Sequence, residues 1–406
     1  MFCHDATVAR HAATRKAALD LASAIRESTR RVRSSVLREK PAMSIQTLGI
    51  LTGGGDCAGL NAVIRAAAKC AITRYGLSVK GILDGFEGLL DEPRFMPLDT
   101  GNVKGLLYRG GTILGSSNKA DPFAFKRVVN GRVEVQDRGD EMLRNVRRLG
   151  VDALLIVGGD GTHKIGLRLL ERGVPVVGIP KTIDNDLGAT DVTFGFDTAV
   201  NIVTEAIDRL QTTAESHHRV MIIETMGRNA GWIALQAGIA GGADIILLPE
   251  IPFRLERVAE ACRRRVGMGR RFTIICVAEG AAPIGGTQTI KQIVQDSADC
   301  VRLGGIAEQI CGWLETQGVG ECRATVLGHV QRGGAPSAFD RVLCTRLGVE
   351  AVHAAVRGDF GRLIVLRNGE IATASIAEAV QQLRRVDPQC EMVRSARDTG
   401  VSFGDE

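Results

Sequence analysis

The stretch VDALLIVGGDGTHKIGLRLLERGVPVVGIPKTIDND, residues 151–186, decides the fold. Two short runs rich in Leu, Ile and Val, "DALLIVG" and "VPVVGI", flank a longer amphipathic segment, "HKIGLRLLERG". A run apolar on consecutive residues has no solvent face, which is the pattern of a buried parallel strand, and the segment between carries helical periodicity. The same alternation recurs from Ser44 onward. "IQTLGIL", "RVMIIET", "ADIILLP" and "RFTIICVAE" read as further strands; "LNAVIRAAAKCAITRYG", "DTAVNIVTEAIDRLQTTAE", "NAGWIALQAGIAGG" and "FRLERVAEACRRRVG" read as helices. Strand and helix alternating this often predict an α/β protein with doubly wound, mainly parallel sheets and right-handed crossovers. At 406 residues the chain is long enough for two such domains.

Ligands of these sheets gather beyond the C-terminal ends of the strands, and three strand ends carry chemistry. The first runs into "TGGGDCAGLN", Thr52–Asn61, where glycines permit a tight turn before a helix whose free N–H groups are able to face an anion. The second runs into "GGDGTHK", Gly158–Lys164: Gly158, Gly159 and Gly161 let a phosphate chain approach the backbone, and Asp160 supplies the hard oxygen that Mg²⁺ prefers. The third ends in "PKTIDND", with Lys181, Asp184 and Asp186 in quick succession. An isolated D-N-D is most often an Asp-rich turn. Beside two glycine turns it reads instead as a phosphoryl-transfer site, which needs one carboxylate near Mg²⁺ and another to accept a proton from the attacking hydroxyl. Asp184 and Asp186 share those duties on this reading, and Lys181 neutralises phosphate charge. Neither G-x-x-x-x-G-K-[ST] nor G-x-G-x-x-G is present, which disfavours a P-loop and a dinucleotide-dependent oxidoreductase.

Composition removes other classes. The net charge of +5 lies wholly in residues 1–42, and the remainder holds 42 basic and 42 acidic residues, so the body has no nucleic-acid footprint. No apolar stretch approaches the roughly 20 residues that span a bilayer. Ten cysteines without a C-x-x-C pair or His/Cys clusters read as small buried residues in a reduced compartment, with neither a disulfide framework nor a zinc site. Residues 1–43 are Arg- and Ser-rich but carry four acidic residues, and are expected to be a disordered or marginally helical leader rather than a transit peptide.

Eight segments, "TGGGDCAGLNAVIR", "RGGTILGSS", "GGDGT", "PKTIDND", "GFDTAV", "SHHRV", "ETMGRNAGW" and "TVLGHVQRGG", resemble in order and spacing the motifs of the 6-phosphofructokinases, from about Ile45 to about Gly361. The resemblance implies two αβα domains with the active site in the cleft between them: residues 44–193 with part of 330–361 for the phosphoryl donor, and 194–329 with 362–406 for the sugar phosphate. It implies a cytoplasmic glycolytic enzyme, a homodimer or homotetramer, that phosphorylates the 1-hydroxyl of fructose 6-phosphate with ATP and Mg²⁺.

Residue by residue, it makes Asp184 the base, sets Thr182 beside the transferred phosphoryl group, directs Asp160 and Asp186 to Mg²⁺ and puts Arg228 near the reacting phosphate. Met226 and Gly227 line the sugar, and Glu279 takes its hydroxyls. His329 and Arg332, with Arg219 and Arg323 from a neighbouring subunit, hold the 6-phosphate as a cluster of donors suited to a dianion. Gly55, Gly161, Thr162 and Lys181 approach donor phosphates, and Phe86 falls where an adenine-stacking aromatic often stands.

Two departures bear on the donor. Asn118 and Lys119 follow "GGTILGSS" where an arginine is usual. Gly161 is ATP-like, whereas Lys181 is the residue of pyrophosphate-using relatives. The glycine carries more weight, because a carboxylate at that position would repel a nucleotide and a lysine serves either donor. ATP is the expected donor, with a pyrophosphate-dependent enzyme as the alternative and a catalytically silent sugar-phosphate sensor as the non-enzyme alternative. The three aspartates weigh against the sensor.

Overall fold

The computed structural model describes residues 45–117, 121–129, 132–294 and 300–406. The expected leader of residues 1–43 lies outside the described residues, as do Asn118 and Lys119. β1 (Thr47–Thr52) leads into α1 (Leu60–Tyr75), then β2 (Ser78–Ile82) and β3 (Phe95–Leu98); an antiparallel pair, β4 (Phe125–Val129) and β5 (Arg132–Gln136), follows. Next come α2 (Gly139–Arg148), β6 (Ala153–Gly158), α3 (Asp160–Glu171) and β7 (Val176–Pro180). A second run holds α4 (Phe196–His217), β8 (Val220–Thr225), α5 (Trp232–Ala240), β9 (Ile245–Leu247), α6 (Leu255–Gly267) and β10 (Thr273–Ala278). A second antiparallel pair, β11 (Ile290–Ile293) and β12 (Val301–Leu303), precedes α7 (Ile306–Thr316) and β13 (Cys322–Val326). α8 (Ala338–Arg357), β14 (Arg362–Arg367), β15 (Glu370–Ser375), α9 (Ile376–Gln381) and α10 (Glu391–Asp398) complete the chain.

Two large sheets result. The first has seven strands in the order β15-β14-β7-β6-β1-β2-β3, parallel from β14 to β2 with an antiparallel strand at each edge. The second has four parallel strands in the order β13-β8-β10-β9. Alternate residues of each central strand feed opposite faces, as a pleated strand buried on both sides requires. Ile50, Leu155 and Val177 pack towards α1 and α8, in a core that continues through α4 and α5 to Ile223 and Cys276 of the second sheet. Leu51, Leu154 and Ile156 face the other way, towards α2, α3 and α9. Ile222, Ile275 and Val277 face α6 and α7. Each sheet is therefore the middle of three layers, as expected of a doubly wound protein.

The strand-forming runs seen in the sequence all lie in these two sheets, but the fate of the C-terminal segment differs from expectation. The resemblance places residues 362–375 on the sugar-phosphate side, yet they form the β14–β15 edge of the seven-stranded sheet, because Arg362 and Leu363 pair in parallel with Val177 and Gly178 of β7. Only the final residues reach the four-stranded sheet, where Ser402 bridges Ile245 of β9.

Candidate active site

The C-terminal ends of β1, β6, β7, β8 and β10 surround a cavity of about 590 Å³. Its floor is the third strand end of the sequence reading. Lys181 leaves β7 with its N–H donating to the Gly158 carbonyl at 2.9 Å, and its side chain turns inward, where Nζ donates to the Gly55 carbonyl at 2.6 Å. Burial lowers the pKa of this lysine. The loop after it is fixed from several sides. The Asp184 N–H donates to Thr182 Oγ1 at 3.1 Å, Thr193 Oγ1 donates to the Thr182 carbonyl at 2.7 Å, and the Thr193 N–H donates to Asn185 Oδ1 at 3.0 Å. Asn185 holds φ of 52°, a left-handed conformation that asparagine tolerates better than most residues.

Asp184 is buried and its Oδ1 makes no hydrogen bond. Burial raises its pKa, against Arg332, Arg228 and Lys181, whose positive charges lower it. Asp186, half-buried, is pushed up to about 7, first by burial and then by the negative charges of Asp184 and Asp160. Glu279 is also pushed up to about 7 by burial and by Asp184. A group of carboxylates raising one another's pKa marks a place built to receive positive charge.

Two glycine turns border this floor. Gly53 and Gly158 approach the Thr162 side chain so closely that a Cβ on either would lie within 2.7 Å of it, so these strand ends meet the start of α3 without intervening side chains. α3 begins at Asp160, and the residues of its first turn, Asp160, Gly161 and Thr162, line the cavity with backbone N–H groups that no preceding turn satisfies. The first glycine turn differs from expectation. Residues 53–56 line the cavity, but the N-terminus of α1 does not, because Leu60 and Asn61 are buried elsewhere and the Asn61 amide bonds the carbonyls of Arg109 and Gly110 at 3.2 and 3.0 Å. Phe86 lines the cavity while packing against Leu51 and Leu89 in the core.

The facing wall comes from the four-stranded sheet. Arg228 follows β8 in a left-handed turn with φ of 51°, which an arginine adopts only under constraint. Its N–H donates to Glu279 Oε1 at 3.2 Å, which ties the ends of β8 and β10 together. Met226, His329 and Arg332 line the same wall, and the Arg332 guanidinium lies against Gly55, reaching from this wall to the first glycine turn. Of the residues expected at the site, Gly158, Gly227, Arg219 and Arg323 do not line the cavity. Those two arginines share Glu321, with Arg219 Nε at 2.9 Å from its carboxylate.

The structure also adds residues that the sequence reading missed. Glu224 is buried at the end of β8 and accepts from the N–H groups of Gly305 and Ala307 at 2.9 Å each, capping α7 and fixing the base of β12. Lys291 and Arg302, on β11 and β12, line the cavity opening. Gln331 is buried and its Oε1 accepts from the Met226 N–H at 3.2 Å. Glu224 and Gln331 stand inside the quoted motifs "ETMGR" and "GHVQRGG", so position pointed to them; β11 and β12 had no such signal.

The family model described as Phosphofructokinase matches residues 47–355. The ATP-dependent 6-phosphofructokinase 2 of Clostridium perfringens is 49% identical over 365 residues, covering 89% of this chain and 99% of that protein. The pyrophosphate–fructose 6-phosphate 1-phosphotransferase of Streptomyces coelicolor is 49% identical over 358 residues, covering 88% and 99%. Among solved structures, the Pichia pastoris phosphofructokinase in the T-state superposes with a TM-score of 0.70 at 31% identity; the match covers 88% of this chain and 37% of that longer one.

Proposed function

Because this chain belongs to the phosphofructokinase family, we propose that it transfers the γ-phosphoryl group of ATP to the 1-hydroxyl of fructose 6-phosphate, giving fructose 1,6-bisphosphate and ADP. The observation that carries the reading is Asp184. Its carboxylate is buried, one oxygen is unbonded, and it stands among three cations at the junction of the donor turns and the sugar wall. A pure binding site has no use for such a group, whereas a general base at this position takes the proton of the attacking hydroxyl. As the new P–O bond forms, the bond to the ADP oxygen breaks, and the charge spreads over the transferred group. Arg228 and Lys181 neutralise that charge, and the first turn of α3 supplies N–H donors.

The carboxylates fit Mg²⁺. Asp186 is held near neutrality of pH only by burial and by Asp184 and Asp160, a repulsion that a divalent cation relieves. Magnesium typically takes one or two protein carboxylates, with substrate phosphates and water completing its shell. Asp160 and Asp186 would hold the ion, which when bound screens donor-phosphate charge.

ATP is the donor on the strength of Gly161. A Cβ there meets no atom within 4 Å, so the glycine leaves open space where a nucleotide would lie, while Lys181 serves either donor. Glu279 and Met226 serve the sugar, and His329 and Arg332 its 6-phosphate. Arg219 and Arg323, apart from the cavity of their own chain, serve a neighbouring copy in a cytoplasmic homo-oligomer. Among the described residues no helix is long and apolar enough to cross a membrane.

The test is ³¹P NMR of a reaction with MgATP and fructose 6-phosphate. The expected product carries phosphate on C1 as well as C6. Tight binding of fructose 6-phosphate with no turnover from ATP or pyrophosphate would favour the sensor instead.

A further inference from the structure

Residues 382–386 lie beyond the part of the chain matched by the family model and outside the cavity, yet they grip the loop that carries Asp184 and Asp186. Leu383 bridges Leu187 in antiparallel fashion. The Arg384 N–H donates to the Asp186 carbonyl at 2.7 Å, and its Nη1 donates to the Asn185 carbonyl at 3.3 Å. Arg384 is equally fastened on its other side. Its guanidinium lies over the Trp232 ring at 4.2 Å from the centroid, and its carbonyl accepts from Trp232 Nε1 at 3.0 Å. Two residues on, the Val386 N–H donates to Glu250 Oε1 at 2.9 Å, and Glu250 also accepts from the Gly231 N–H just ahead of Trp232.

These contacts have a common consequence. Asp186 belongs to the loop after β7 of the seven-stranded sheet, whereas Trp232 opens α5, which packs on the four-stranded sheet. Asn185, in the same loop, holds a left-handed conformation. Both of its neighbouring carbonyl anchors, on Asn185 and Asp186, go to one residue.

We propose that Arg384 is a positioning residue for phosphoryl transfer, clamping the Asn185–Asp186 backbone to Trp232 so that Asp184 and Asp186 keep their place relative to the sugar wall. The inference rests on the reading of Asp184 as the base. It differs from a purely structural role in what it changes: the reaction geometry shifts, while the groups expected to bind the sugar phosphate stay where they are. Misplacement of a catalytic group by about 1 Å is able to lower a rate by roughly 10²-fold.

The experiment compares wild type, Arg384→Ala and Arg384→Lys in MgATP-dependent phosphorylation of fructose 6-phosphate, with Kd for fructose 6-phosphate by calorimetry and Tm in parallel. Arg384→Ala keeps the main-chain bonds to Asp186 and Trp232 and removes the Nη1 bond to the Asn185 carbonyl and the guanidinium over the Trp232 ring; it is expected to lower kcat about 10- to 100-fold, leave Kd within about threefold and recover part of its kcat when guanidinium is added. Arg384→Lys, which retains a cation over Trp232, is expected to lie between the two. A kcat for Arg384→Ala within twofold of wild type overturns the inference, as does a loss that follows the unfolded fraction and does not respond to guanidinium. If Arg384→Ala does not fold, a lowered kcat at unchanged Kd in Arg384→Lys supports the inference, and an unchanged kcat overturns it. A wild type that binds fructose 6-phosphate but turns over neither ATP nor pyrophosphate overturns the functional reading and this inference together; an active wild type with an indifferent Arg384→Ala overturns this inference alone.

Discussion

Replacing Asp184 by asparagine keeps the shape of the side chain and removes its charge and basicity, so the effects on catalysis and on stability separate. A positioned general base contributes roughly 10²- to 10⁴-fold, about 3–5 kcal/mol of barrier, and kcat should fall by that factor. Stability should move the other way or not at all. Arg332, Arg228 and Lys181 favour the ionised carboxylate, but burial outweighs them and the pKa stands above its ordinary value. A raised carboxyl pKa means that the charged form is disfavoured in the folded chain at neutral pH, and a neutral isostere removes that penalty. The assay is an aldolase-coupled measurement of fructose 1,6-bisphosphate at saturating substrates, with thermal unfolding of the ligand-free protein at pH 7.5. A kcat within tenfold of wild type would refute the base assignment. A Tm several degrees lower would refute the burial argument, since it would mean that the three cations stabilise the carboxylate on balance.

The other predictions use different parts of the site. Gly161→Asp is expected to fold normally, because its Cβ meets open space and its φ is not left-handed. A carboxylate about 5 Å from a nucleotide phosphate at this exposed position is worth about 1–3 kcal/mol of repulsion, so kcat/KM for ATP should fall roughly 5- to 150-fold with that for pyrophosphate less affected; equal losses for both donors would contradict this. Asp186 and Glu279, both pushed up to about 7 in the folded chain, contribute stability that is fully present below their unfolded pKa values and lost as pH rises through about 7. Metal-free protein should therefore lose Tm progressively between about pH 4 and pH 7, level off above that and recover Tm with Mg²⁺, and a flat profile across that window would count against the crowded-carboxylate reading. Arg323→Ala should raise KM for fructose 6-phosphate at least tenfold, and mixing it with Asp184→Asn after subunit exchange should restore activity above either alone; absence of complementation in a demonstrated mixed oligomer would sink the shared-site proposal.

The sequence made the loop proposed as catalytic legible because its chemistry is local: Lys181, Thr182, Asp184 and Asp186 lie within six residues, and β7 delivers them to one strand end. The central strands were equally legible, since Leu154 through Val157 are apolar on both faces. What escaped depends on contacts distant in sequence. β14 carries no motif, and its place beside β7 follows from pairing across more than 180 residues. Arg384 looks like one more surface arginine until its carbonyl and side chain are seen on Trp232, 152 residues away. Glu224 stood in a quoted motif but as a buried helix cap, and burial is not written in a single residue's identity. The N-terminus of α1 misled for the opposite reason: a glycine-rich turn before a helix suggests an anion site, whereas Asn61 commits the helix start to the carbonyls of Arg109 and Gly110.

The most direct test of the central claim is kcat/KM for MgATP and for pyrophosphate with Mg²⁺, measured on one preparation with fructose 6-phosphate as acceptor. The open space at Gly161 predicts a ratio in favour of ATP. A ratio in favour of pyrophosphate would contradict the donor assignment, and turnover of neither donor would contradict phosphoryl transfer itself.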